Sequence, residues 1–146
     1  MIEIRKYNGK EQLAGAVYAV LASVYQPSPW TLDQIHTDML EQGSQYYLAY
    51  KGQKLVGFLA VQTVLDQMEV TQLAVRPDFQ RRGIAQRLLA TLMDWEGDIF
   101  LEVRESNLAA QSLYTGQQFK EIGKRKNYYH NPREDAVIMK RSRDEG

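Results

Sequence analysis

The segment Gln80-Arg81-Arg82-Gly83-Ile84-Ala85 sets two cations directly ahead of a glycine and an alanine. It lies between an apolar run ending at Val75 and a helical repeat opening near Ile84. A helix amino end presents unpaired N–H groups and a partial positive charge, so phosphate oxygens bind there when no side chain obstructs the backbone. Gly83 and Ala85 keep that approach open, while Arg81 and Arg82 supply charge-assisted bonds to a diphosphate or a ribose phosphate. The segment reads as a polyphosphate nest; the plain alternative is an exposed basic loop with a glycine turn. A nucleotide-hydrolase loop needs a Gly-Lys-Ser/Thr ending and a dinucleotide fingerprint needs three spaced glycines, and neither occurs here.

Glu102 interrupts the apolar run Ile99-Phe100-Leu101-Glu102-Val103, where a carboxylate is costly unless it faces a site or water. The solvent side of an edge strand would serve it equally. Asn107 is placed to cap a helix carrying Ala110, Leu113 and Tyr114. Tyr114 is one of 9 tyrosines, and a tyrosine at helical spacing is usually a packing residue with a satisfied hydroxyl. The absence of cysteine excludes disulfides, thiolate metal sites and a cysteine nucleophile. His36 and His130 stand apart from any other metal-ligating cluster, so no metal is expected. Lys124-Arg125-Lys126 with Tyr128-Tyr129 has the composition of a nucleic-acid patch. A formal net charge of zero and the neighbouring Glu134-Asp135 pair weigh against that reading.

Those residues need elements to position them. Ile2 and Ile4 alternate as in a strand, and Leu13, Val17, Leu21 and Val24 recur at helical spacing. Pro27 and Pro29 break the pattern; Thr31 with Gln34 is a capping-box signature for a second helix ending near Gly43. Tyr46–Tyr50, Leu55–Val64 and Met68–Val75, separated by polar turns, predict three consecutive antiparallel strands. Ile84, Leu88, Leu92 and Trp95 trace one helical face; Ile99–Arg104, Phe119–Lys124 and Ala136–Lys140 read as closing strands, and residues 141–146 as a frayed tail. At 146 residues, 44% hydrophobic and 25% charged, without repeat or linker, the chain is expected to form one α/β (α+β) domain over 1–146. Neither a leader-like apolar stretch nor a run of roughly 20 apolar residues occurs, which predicts a cytoplasmic protein without membrane contact.

The pattern Gln80-x-x-Gly83-x-Ala85 after a strand and opening a helix resembles the GNAT superfamily of N-acetyltransferases. Leu101-Glu102-Val103-Arg104-x-x-Asn107-x-x-Ala110-x-x-x-Tyr114 is a second match, followed by Asn127-Tyr128-Tyr129 and Arg133-Glu134-Asp135-Ala136. Together they resemble the ribosomal-protein-alanine N-acetyltransferase (RimI) family, most strongly from Leu73 to Met139. The resemblance implies a mixed sheet of about six or seven mostly antiparallel strands with about four flanking helices. It also implies acetyl-CoA as cosubstrate and a protein N-terminal segment, ribosomal in origin, as acceptor. The strand before the loop is then splayed from its neighbour by a bulge, and Leu73, Ala74 and Val75 pair with the pantetheine arm. Gln80, Arg81, Arg82, Gly83, Ile84 and Ala85 hold the pyrophosphate, and Asn107 both caps its helix and touches pantetheine. Glu102 becomes the general base, directly or through water, and Tyr114 the donor to the departing thiolate. Trp30, Tyr128, Tyr129, Glu134 and Asp135 fall on the substrate side, with the last four between the two final strands. One departure is Gln118, which replaces the family glycine and leaves Gly116 as the available left-handed cap.

Acetyl transfer by direct attack needs a neutral amine, a polarised thioester carbonyl and a proton for the thiolate, with no metal. An α-amine, with a pKa of about 7.7–8.0 against about 10.4 for lysine, is already roughly one-tenth neutral at pH 7. That favours an N-terminal acceptor. The same cofactor motifs would serve another amine, such as a lysine, a polyamine or a small molecule, or a catalytically silent acetyl-CoA binder. A monomer is the default expectation.

Overall fold

The computed structural model describes residues 1–142; of the predicted frayed tail, Arg141 is the last residue of a strand and Ser142 follows it, while 143–146 lie outside the described residues. Seven strands and four α-helices follow in the order β1 (Ile2–Lys6), α1 (Ala14–Val24), α2 (Leu32–Leu40), β2 (Ser44–Lys51), β3 (Lys54–Val64), β4 (Gln67–Val75), α3 (Ile84–Ala90), β5 (Ile99–Arg104), α4 (Leu108–Gly116), β6 (Lys120–Tyr129) and β7 (Glu134–Arg141), with a 3₁₀ turn at Pro77–Phe79. The strands form one sheet in the order β1-β2-β3-β4-β5-β7-β6. Every neighbouring pair is antiparallel except β4 with β5. The mixed sheet with four helices is the architecture expected.

Alternation along the strands sends side chains to two faces, each covered by helices. On one face α1 and α2 bury Val17, Val20, Leu21 and Ile35 against Tyr46, Phe58 and Ala74. On the other α3 and α4 pack Ile84, Leu88 and Tyr114 against Leu59, Leu101 and Val103. The capping box predicted at α2 is present: Gln34 N donates to Thr31 Oγ1 at 3.1 Å and Thr31 N donates to Gln34 Oε1 at 2.8 Å. Deep in the first layer the Tyr46 phenol donates to Asp38 Oδ2 at 2.6 Å.

Three local expectations are corrected. Helix α3 stops at Ala90, although Leu92 is buried and Trp95 packs on the core as the repeat requires. Thr91 Oγ1 donates back to the Leu88 carbonyl at 2.6 Å, and the chain continues in turns that keep both apolar residues inward. Strand β6 runs to Tyr129 rather than Lys124, so Tyr128 and Tyr129 are its last two residues and Glu134 and Asp135 the first two of β7. As the exposed edge of the sheet, β6 needs no apolar alternation to persist, which is why its charged second half hid the strand. Finally, Gln118 itself takes the left-handed conformation (φ 73°), and Gly116 stays within α4.

The last feature builds a Schellman motif. Phe119 N donates to the Tyr114 carbonyl and Gln118 N to the Thr115 carbonyl, both at 3.0 Å. The apolar contact that accompanies such a motif is Tyr114 against Phe119, edge-on with centroids 5.8 Å apart.

Candidate active site

The sheet is nearly divided at its middle. Strands β4 and β5 pair only at Met68↔Ile99 and Glu69↔Phe100. Beyond that seam β4 follows β3 to Val75↔Gly57, while β5 follows β7 to Arg104↔Ala136. An extra residue at Thr71 shifts the register of β4 against β3 and adds local twist. The strands therefore diverge, and Leu73, Ala74 and Val75 have no strand on their β5 side. Peptide groups so placed need another hydrogen-bonding partner.

At the wide end of this cleft lies the loop Gln80–Ala85. Gln80 Nε2 donates to the Val75 carbonyl at 2.9 Å, fastening loop to strand. Arg81 and Gly83 adopt φ of 65° and 79°, and Gly83 is the N-cap of α3 without any side-chain cap. A Cβ at Gly83 would have only Gln86 Oε1 nearby, at 3.7 Å, so the glycine is demanded by its backbone angle and leaves the helix start open. The Arg82 guanidinium lies over the Phe79 ring at 5.2 Å, and Lys51 and Lys54 reach the same ring at 5.8 and 5.7 Å. The two lysines, from the β2–β3 turn, enlarge the positive rim; nothing in their local sequence signals that they would meet this loop.

Glu102 lies on the face of β5 opposite Leu101 and Val103 and is largely buried, with 15% of its side chain exposed. Its Oε2 is buried without a hydrogen-bond partner, and Arg125 Nε stands 3.9 Å away. The Tyr128 phenol sits beside the same carboxylate, and burial followed by that negative charge raises its pKa. Tyr129 is pushed up to about 12, by burial first and then by Glu102. Its ring meets Tyr128 edge-on at 5.0 Å and is covered by Arg104 at 4.5 Å.

Tyr114 approaches from the α4 side. It is buried, and burial raises its phenol pKa well above the ordinary tyrosine value, with Tyr25 and Tyr129 adding to the rise. Tyr25, at the C-terminal end of α1, was not singled out from sequence; an aromatic just before the Pro27–Pro29 break was its only signal. Tyr25 likewise adds to the rise at Tyr129, where Glu102 contributes more.

The other expected residues are placed as follows. Asn107 caps α4, its Oδ1 accepting from Ala110 N at 3.1 Å. Glu134 accepts from Ser106 N and from Arg104 Nη1, interactions that hold its pKa below the carboxylate norm. Asp135 Oδ1 accepts from Asn127 N at 2.9 Å, bracing the irregular end of β6. These two carboxylates thus secure the hairpin that carries Tyr128 and Tyr129. Trp30 is half-buried against the α1/α2 core, and its carbonyl accepts from Ser28 Oγ at 2.7 Å. Among the described residues, no group of three or more His, Asp or Glu side chains is arranged to hold a metal, and no helix is long and apolar enough to cross a membrane.

A family model described as "Acetyltransferase (GNAT) family" matches residues 12–119. A [ribosomal protein bS18]-alanine N-acetyltransferase from Haemophilus ducreyi is 40% identical over 121 residues, covering 76% of this chain and 81% of that protein. The enzyme of the same description from Escherichia coli K12 is 37% identical over 118 residues, covering 76% and 79%. The crystal structure of the E. coli ribosomal-protein-S18-alanine N-acetyltransferase superposes with a TM-score of 0.85 at 31% identity, over 97% of this chain and 93% of that one. Arabidopsis thaliana NAA60, solved with acetyl-CoA, shares the fold at TM-score 0.85 and 15% identity, over 99% of both chains.

Proposed function

The chain belongs to the GNAT acetyltransferase family, and from that premise we propose that it transfers the acetyl group of acetyl-CoA to the α-amine of an N-terminal alanine on a small-subunit ribosomal protein. The observation that carries the reading is Glu102, whose buried Oε2 lacks a hydrogen-bond partner on one face of β5, while the buried Tyr114 phenol packs on the other.

The cleft suits the cosubstrate. Its diphosphate would lie on the α3 amino end opened by Gly83, against Arg81 and Arg82, with Gln80, Ile84 and Ala85 completing the loop. The pantetheine amides would pair with Leu73, Ala74 and Val75 where β5 turns away, and Asn107 would meet the same arm while keeping its cap. An acceptor entering from the β6–β7 hairpin would pass Tyr128 and Tyr129, held by Glu134 and Asp135, with Trp30 on the α1–α2 loop.

In the reaction Glu102, directly or through one water, takes a proton from the acceptor ammonium. The freed nitrogen lone pair attacks the thioester carbonyl carbon, forming the C–N bond. As the C–S bond breaks, the Tyr114 O–H gives its proton to the thiolate sulfur. The raised pKa of Tyr114 keeps that proton in place at neutral pH. The second proton on the new amide nitrogen restores the Tyr114 phenol and Glu102 passes its proton to solvent, so the products are a neutral amide, a thiol and one released proton.

The test follows thiol release with a panel of N-terminal peptides, using wild type, Glu102→Gln and Tyr114→Phe. Each substitution is expected to lower kcat by about 10²–10⁴-fold while acetyl-CoA still binds. A peptide with a blocked N-terminal alanine is expected to be inert. Equal rates in all three proteins would remove both assigned roles, and acetylation of the blocked peptide would move the acceptor to a side chain.

A further inference from the structure

On the α1/α2 face, beside the narrow end of the cleft, lies a cavity of about 310 Å³. Val64, Met68, Phe100 and Ile138 give it apolar wall, Gln62 and Gln67 add polar wall, and Glu102 and the largely exposed Arg125 line it as well. Glu69 stands at the exposed margin, one strand away from Glu102 and paired through the seam with Phe100. The reaction described above uses Glu102 and leaves Glu69 without a task. Two carboxylates share one guanidinium here; Lys140, near Phe100, is engaged with Asp98 at 3.6 Å. The cavity therefore keeps an excess negative charge beside a surface suited to aliphatic groups.

We propose that this cavity receives the side chain following the acetylated residue, and that Glu69 makes it selective for a basic one. The inference rests on the N-terminal acetyltransferase reading. Glu102 lines the same cavity as Phe100 and Glu69, so an α-amine at Glu102 leaves the following residue facing that cavity. A lysine or arginine fits such a place because its methylene stem covers apolar wall while its charged head stays at the wet margin. An acidic side chain there meets Glu69 and Glu102 and is disfavoured by like charge. The raised pKa of Glu69, from burial first and from Glu102 second, agrees with two carboxylates awaiting a cation that Arg125 supplies only in part.

The experiment compares peptides that begin with alanine and differ only at the second position, carrying lysine, methionine or glutamate. Each is assayed with wild type, Glu69→Gln and Glu69→Lys, resolving kcat and KM. Wild type is expected to favour lysine over methionine by about tenfold in kcat/KM, mostly through KM, as one charge-assisted contact implies. That ratio is expected to fall toward unity in Glu69→Gln, and Glu69→Lys is expected to prefer glutamate. The preference is also expected to shrink as salt is raised. An unchanged lysine-to-methionine ratio in Glu69→Gln, or no preference in wild type, overturns the inference while leaving the N-terminal acetyltransferase intact. Failure of all alanine peptides with wild type, alongside acetylation of other amines, removes both.

Discussion

Replacing Gln118 with glycine is expected to stabilise the protein. Gln118 occupies the left-handed position of the Schellman motif that ends α4, at φ 73°, and its side chain is exposed, without a hydrogen bond among the described residues. A residue with a Cβ held in this region costs roughly 1–2 kcal/mol, because Cβ crowds the following carbonyl oxygen. Glycine removes that cost but has more freedom to lose on folding, by roughly 0.5–1 kcal/mol. The net gain is about 0.5–1 kcal/mol. For a chain of this size, each kcal/mol moves the thermal midpoint by roughly 2–4 °C, so a rise of about 1–4 °C is expected in calorimetry or circular dichroism. Gln118→Ala is the control that isolates the cause, since it removes the side chain, keeps Cβ and is expected to bring no such gain. Asparagine, which tolerates the left-handed region, is expected to fall between them. If glycine and alanine shifted the midpoint equally, backbone strain at this position would be refuted as the source. The motif also sets the Tyr114–Phe119 contact, so the same substitution is expected to leave the edge-on pair in place.

Other perturbations have equally definite outcomes. Gly83→Ala must hold φ near 79° with nothing crowding the new methyl, so a loss of about 1–2 kcal/mol in denaturant unfolding is expected, with Gly83→Asn recovering part of it. Gly97→Ala would drive a methyl into the Asp66 carbonyl oxygen, forcing the β3–β4 turn away from the loop before β5; a loss above about 2 kcal/mol in the same measurement is expected. At alkaline pH the raised phenols of Tyr46 and Tyr129 favour the folded state only while the unfolded chain also keeps its protons. Their contribution is complete below about pH 10 and is lost as pH climbs toward about 12 at Tyr129, by at most about 1.4 kcal/mol per pH unit for each phenol. Unfolding midpoints from pH 9 to 11.5 are expected to fall less steeply in Tyr46→Phe than in wild type.

Sequence reasoning reached elements whose determinants are local. The Thr31/Gln34 capping box, the glycine opening α3 and the Asn107 cap each depend on residues a few positions apart, and each forms as read. It reached less where distant strands decide. The parting of β4 from β5 is implied by the family resemblance rather than by any local pattern, since β5 alternates without interruption through it. Glu69 likewise looks like any outward residue of a strand until Phe100 and Glu102 are set beside it. Lys51 and Lys54 belong to an ordinary polar turn, and only the packing of β2 and β3 near Phe79 brings them to the loop. The exit of α4 was misread for a different reason: glycine was given the left-handed role by type, whereas the hydrogen bonds from Gln118 and Phe119 decide which residue must bend.

The two residue pairs joining β4 to β5 leave one mechanical weak line running through the whole sheet. A guest threaded along that line would act as a temporary extra rung, tying halves that otherwise hold each other chiefly through the side-chain core on one face. Occupancy is then expected to slow amide-hydrogen exchange at Leu73, Ala74 and Val75 far more than in the β2–β3 ladder. Heat resistance in this enzyme becomes partly a property of what it is holding.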